Sequence, residues 1–176
     1  MASFGHLAVG IAAGKHCHLT PASRSERLRT AALMCSLSML PDADVIGLLL
    51  GIPYEAPLGH RGAGHSLLAA VLMALMLSPF LAKPLSLSFP RTFGLALLCI
   101  GSHGLLDTLT DGGLGIALLW PFSDERFFAP LRPIPVSPIG RAFLSPYGLR
   151  VFCTELLYFS PLLAYGLWPR KSPKSP

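Results

Sequence analysis

Charge is scarce in this chain: Asp, Glu, Lys and Arg make up 13% of its 176 residues, against about 25% in an average soluble domain. With 52% hydrophobic residues and a mean hydropathy of +0.56, there is too little polar surface to cover a water-soluble globule. The length leaves room for one core. Composition therefore predicts a single membrane-embedded domain over residues 1–169, followed by a disordered basic tail at 170–176. Paired cysteines are missing as well. Cys17, Cys35, Cys99 and Cys153 show no C-x-x-C spacing, and three of them lie in apolar runs where a thiol behaves as a small hydrophobe. That excludes a disulfide framework and a thiolate zinc site. A secretory leader would need a basic start that the N-terminus lacks, so the apolar stretch from Leu7 to Gly14 is expected to stay in the mature protein. Nor do the basic residues form a stripe. The net charge of +5 is spread in short clusters between apolar runs, which argues against nucleic acid and for cytoplasmic loops and anionic headgroups.

Long apolar runs are what the chain does have. Crossing a bilayer takes about 20 apolar residues in helix, and four stretches approach that: Thr30 to about Ile52, Ser66–Ala82, Thr92–Thr110 and Val151–Trp168. The expected fold is an all-α polytopic membrane helix bundle with four spanning helices. A short N-terminal helix, Phe4–Gly14, is not long enough to cross. A Pro/Gly-rich outer loop fills Gly112–Tyr147, with extended pieces such as Leu131–Pro138 and with Trp120, Phe122, Phe127 and Phe128 at headgroup level. If the first span runs outward, nine basic residues face inward (Lys15, Arg24, Arg27, Arg29, Lys83, Arg91, Arg170, Lys171, Lys174) against five outside. That bias predicts a cytoplasmic C-terminus in a multi-pass plasma-membrane protein.

An ionised group in the bilayer core costs at least ~2.5 kcal/mol, so polar residues inside apolar runs are informative. Of nine acidic residues, Asp42, Asp44, Asp107 and Asp111 lie in or at the rim of such runs, joined by His60, His65 and His103. His103, Asp107 and Asp111 recur every four residues, which places them on one helix face. An imidazole and a carboxylate at that spacing suit zinc and related divalent ions. Pro41 is expected to break the first helix beside Asp42 and Asp44, and His60-Arg61-Gly62-Ala63-Gly64-His65 sets two imidazoles around a flexible loop. His6 is a further candidate ligand. In the assumed topology all these residues reach the same outer depth. The expected metal ligands are thus His6, Asp42, His60, His65, His103, Asp107 and Asp111. Asp44 and Asp111 could instead orient a ligand histidine, and Glu155 is a lesser candidate. Arg61 either holds a substrate anion or snorkels to headgroups. Ser66 is expected to cap the second span rather than act as a nucleophile, and His16 and His18 to lie at the surface.

Gly5-His6-Leu7, Leu40-Pro41-Asp42-Ala43-Asp44, His60-Arg61-Gly62 with Gly64-His65-Ser66, Ser102-His103-Gly104-Leu105-Leu106-Asp107 and Trp120-Pro121-Phe122-Ser123 occur in that order. Together they resemble the YdjM-like family of LexA-regulated, membrane-bound metal-dependent hydrolases, over roughly residues 4–138. One departure is Gly64, where that family often has a hydroxyl residue. The pattern is in turn similar to the zinc-dependent phospholipase C and P1 nuclease group, which implies phosphoester hydrolysis with more than one metal. The number of oxygen and nitrogen ligands exceeds the four of a structural zinc, so two or three divalent ions, of the zinc type, are expected. The expected function is hydrolysis of a phosphoester in a lipid or lipid-linked phosphate at the outer face of the membrane. Asp42 or Asp44 would act as general base, with Arg61 on the substrate anion. A divalent-metal transporter or sensor, and a structural membrane protein with a metal staple, are the alternatives; the apolar inner halves of the spans count against transport.

Overall fold

The computed structural model describes residues 3–18, 22–138 and 140–168, so the proposed basic tail lies outside the described residues. Its helices are α1 Ser3–His16, α2 Arg24–Met39, α3 Val45–Leu49, α4 Leu67–Leu85, α5 Phe89–Asp107 and α6 Pro146–Leu167. Local sequence accounts for their starts. Ser23 opens α2 with a capping box in which its hydroxyl accepts Glu26 N–H while Glu26 reaches back to the Ser23 backbone. Ser66 caps α4 by accepting Ala69 N–H at 3.0 Å, the role its sequence context predicts. Ser145 does the same for α6, with Pro146 at the first helical position.

The first long helix differs from expectation at Pro41. The chain does not break there: Leu40–Asp44 tightens into a 3-10 turn and α3 continues beyond it. Pro41 sits in the first turn of that segment, where its missing N–H is harmless. The result is a helical segment from Arg24 to Leu49.

Small residues draw the helices together. Gly10 and Gly14 lie one turn apart on α1. A Cβ at Gly10 would come within 2.5 Å of Cys35 Cα, and one at Gly14 within 2.8 Å of Ala31 Cα. This is the close small-residue helix contact found in membrane bundles. α1 is held between α2 and α6, α5 packs on α2 and α4, and a core of Met34, Leu37, Ala70, Ala74, Ala96, Cys99 and Ile100 forms where α2, α4 and α5 meet.

Among the described residues, two helical segments are long and apolar enough to cross a membrane, Arg24–Leu49 and Leu67–Leu85. α5 and α6 do not match that apolar character, carrying Arg91, His103 and Asp107, and Arg150 and Glu155, respectively. α4 nevertheless exposes Leu72, Leu75, Met76 and Phe80, and α6 exposes Leu149, Leu157 and Tyr158. Apolar faces of this extent mark a membrane or partner surface.

The described residues between α5 and α6 form no sheet. They make two isolated bridges, Thr110 with Ile134 and Ile116 with Phe127. Ile134 is buried, so the expected extended piece runs alongside the end of α5 and closes over it. Of the aromatic residues in this connection, Phe122 projects furthest into the surroundings.

Candidate metal centre

The 3-10 turn has three residues per turn, which aims Asp42 and Asp44 from different angles at one imidazole. His65 lies between them, its Nε2 3.5 Å from Asp42 Oδ1 and its Nδ1 3.0 Å from Asp44 Oδ2. From α5, His103 Nε2 lies 3.3 Å from the same Asp42 oxygen, and Asp107 Oδ2 is 3.9 Å from both His65 Nε2 and His103 Nε2. Two overlapping sets result: Asp42, Asp44, His60 and His65, and Asp42, His65, His103 and Asp107. Within each set, ligand atoms lie within 4.8 Å of one another. Asp42 and His65 belong to both.

Second contacts fix the rings. His103 Nδ1 donates to the Ser38 carbonyl at 2.6 Å, which leaves Nε2 as the lone-pair nitrogen facing Asp42. His60 Nδ1 donates to Asp44 Oδ1 at 2.6 Å, the arrangement by which a carboxylate orients a ligand histidine. His6 reaches the cluster from α1. Its Nε2 is 3.3 Å from Asp107 Oδ1 and its ring stacks on His103 with centroids 3.7 Å apart. It borders the second set without belonging to either.

Arg61 does not snorkel; it is 1% exposed. Its backbone is left-handed, with φ at 63°, which costs a non-glycine residue about 1–2 kcal/mol. That turn brings the Arg61 N–H to Asp44 Oδ2 at 3.1 Å and sends the guanidinium the other way. Nε then lies 3.5 Å from Asp107 Oδ2, Nη1 donates to the Gly112 carbonyl and Nη2 to Thr110 Oγ1.

Asp111 is not brought to the cluster. α5 ends at Asp107, so the four-residue spacing no longer sets the direction of the next carboxylate. Asp111 is exposed and accepts the Val136 N–H at 2.8 Å. Glu155 also stays outside both sets, accepting backbone N–H groups at the start of α1. His16 is exposed and meets the Tyr165 hydroxyl, while His18 is half-buried and bonded to Thr30.

Three contributors carry no mark in the sequence. Ser38 acts through its carbonyl, which any residue could supply. Arg126 spans the carbonyls of Glu55, Ala56, His60 and Arg61 at 3.3–3.5 Å and so holds the ligand loop. Gly104 lets α5 approach that loop, since a Cβ there would sit 2.4 Å from the His65 carbonyl oxygen. Only its place beside His103 hints at it.

The donor set fits a divalent cation. Asp42, Asp107, His65 and His103 are buried, and Asp44 has a side chain 12% exposed. Three carboxylates face one guanidinium in an enclosed space, so that even with a protonated His65 one negative charge is left in excess. Burying uncompensated charge is strongly unfavourable. Both Asp42 oxygens, His65 Nε2 and His103 Nε2 have no hydrogen-bond partner among the described residues. Burial disfavours a charge on the His65 ring, yet the Asp42 and Asp44 carboxylates beside it prevail and raise the imidazole to about 9. Carboxylate oxygens with imidazole nitrogens make a mixed donor set for a divalent metal ion.

Comparison with known proteins agrees with a membrane setting. The model of the family described as YdjM inner membrane protein matches residues 1–170. Inner membrane protein YbcI of Escherichia coli (strain K12) is 39% identical over 139 residues, covering 77% of this chain and 80% of that protein. No solved structure matches the chain.

Proposed function

The chain belongs to the YdjM inner membrane protein family, and from that premise we propose that it is a membrane-bound, metal-dependent hydrolase cleaving a phosphoester in a lipid or lipid-linked substrate. The observation that carries the reading is the buried surplus of carboxylates, with both Asp42 oxygens, His65 Nε2 and His103 Nε2 lacking hydrogen-bond partners among the described residues. Asp42, His65, His103 and Asp107 would hold one divalent ion, and His60 with Asp42, His65 and Asp44 a second. Such ions, when bound, lower the pKa of water and stabilise charge on a leaving oxygen.

The protein's own groups supply the rest. Asp44 is the most exposed carboxylate of the set, placed to take a proton from an incoming water while it orients His60. Arg61 keeps its cation against Asp107 and lines the centre with positive charge where a phosphoryl group would enter. Ser38 and Asp44 lock the ring orientations, so little reorganisation is left for turnover. The apolar faces of α4 and α6 support an amphiphilic substrate, because they keep the molecule within the lipid phase. Four crossings by the long helices, a cytoplasmic C-terminus and an outward-facing centre complete the reading. The apolar core between α2, α4 and α5 counts against passage of a cation to the other face.

The test is a panel of phospholipids, lipid-linked phosphates and a generic phosphodiester, presented in liposomes to metal-loaded protein with His103→Ala as control. Turnover that chelation abolishes is expected. No turnover above the control would remove the phosphoesterase reading and move a metal-stapled or transporting protein ahead.

A further inference from the structure

Glu155 is the single acidic side chain of α6 and is 1% exposed. Its Oε2 accepts the backbone N–H groups of Phe4 at 2.6 Å and Gly5 at 3.4 Å. These donors lie in the first turn of α1, where a helix has no internal acceptors for its N–H groups and its dipole favours an anion. The turn is gripped on other sides too. The Phe4 and Phe152 rings meet edge to face at 4.4 Å, and a Cβ on Gly5 would fall 2.6 Å from the Phe159 ring. The next residue is His6, whose imidazole sits against Asp107 and His103. One residue along a helix is about 100° of rotation and 1.5 Å of rise, so a small slip of α1 would turn that ring out of the cluster.

We propose that Glu155 is a positioning residue of the metal centre: by holding the Phe4 and Gly5 N–H groups it sets the rotation and depth of α1, and thereby the place of His6 beside Asp107 and His103. This rests on the metal-centre reading above, with α6 acting on the centre from a helix that contributes no ligand to either set.

The experiment uses the full chain in detergent with cobalt(II) as the metal probe, comparing wild type with Glu155→Gln, Glu155→Asp, His6→Ala and the double variant His6→Ala/Glu155→Asp. Glutamine keeps an acceptor oxygen at the same reach, while aspartate keeps the charge but is one methylene short. Glu155→Gln should hold cobalt within about threefold of wild type and Glu155→Asp about 10- to 100-fold more weakly, the range for groups that orient ligands. The visible cobalt spectrum of Glu155→Asp should shift as it does in His6→Ala. The double variant should bind no more weakly than His6→Ala alone, because Glu155 acts through His6. In metal-free protein, the Phe4 and Gly5 amides should exchange hydrogen faster in Glu155→Asp. Wild-type binding with an unaffected Glu155→Asp, or additive losses in the double variant, would overturn the positioning role and leave the metal centre standing. Faster exchange in a protein whose wild type binds no metal would defeat the metal reading and reduce Glu155 to a helix staple, which also overturns the proposal.

Discussion

Asp42 is the residue on which the two candidate metal sets turn. It belongs to both, whereas Asp44 belongs to one and Asp111 to neither. Asp42→Asn should therefore lower metal content at both positions, Asp44→Asn at one, and Asp111→Ala at none, as read by mass-spectrometric metal analysis of folded protein. Asp111→Ala should cost about 1 kcal/mol of stability through the lost bond to Val136. That Asp42, His65, His103 and Asp107 gather in one place was legible in the sequence, since charge and imidazole in an apolar run need a reason. Their pairing was not, because nothing local tells which carboxylate His60 or His65 will meet across a loop. Asp111 shows the same limit from the other side: helical spacing holds only as far as the helix runs. Gly64 offers a milder test. A Cβ there would lie 3.7 Å from Asp44 Oδ2, an ordinary contact in a half-buried place. Gly64→Ser should therefore fold and keep its metal, with the new hydroxyl beside Asp44. Loss of metal in that variant would show that the loop has no slack.

At the scale of elements, the centre depends on how closely α5 approaches the loop before α4. Gly104 and the His65 carbonyl leave no room for a methyl group, and overpacking of this kind typically costs about 1–3 kcal/mol. Gly104→Ala should lower the thermal midpoint and also lower metal content, because relief of the clash moves the His65 backbone. Retained stoichiometry at a lowered midpoint would mean that the loop shifts as a unit with its ligands. Ser66 caps α4 as expected, and each apolar run fell on a long helix, although α2 starts at Arg24 rather than Thr30 and α6 at Pro146 rather than Val151. The continuation of the first helix through Pro41 was less visible. Proline ends an α-helix interior but suits the opening turn of a tighter helix, and sequence does not distinguish the two settings.

For the whole molecule, the open quantity is which side of the membrane the centre faces. The bias of basic residues expects the loop of His60 and His65 on the outside and the last turn of α4 on the inside. Glu55 and Lys83 are exposed positions in these two places. In a Cys153→Ala background, which removes the exposed native thiol, Glu55→Cys should label from outside and Lys83→Cys only after the membrane is opened. The reverse pattern would invert the molecule and turn the centre to the inner face.

The packing of α1 against α6 also has a meaning in time. α1 leaves the ribosome well before α6, and 151 positions separate Phe4 from the Glu155 carboxylate that receives its N–H. His6 can be seated for good only when α6 has been made and inserted. A chain released early, even one containing Asp42, His65, His103 and Asp107, lacks the helix that holds the first turn of α1. Completion of the centre is thereby tied to the synthesis of α6, and chains that stop short of it are left without a finished site.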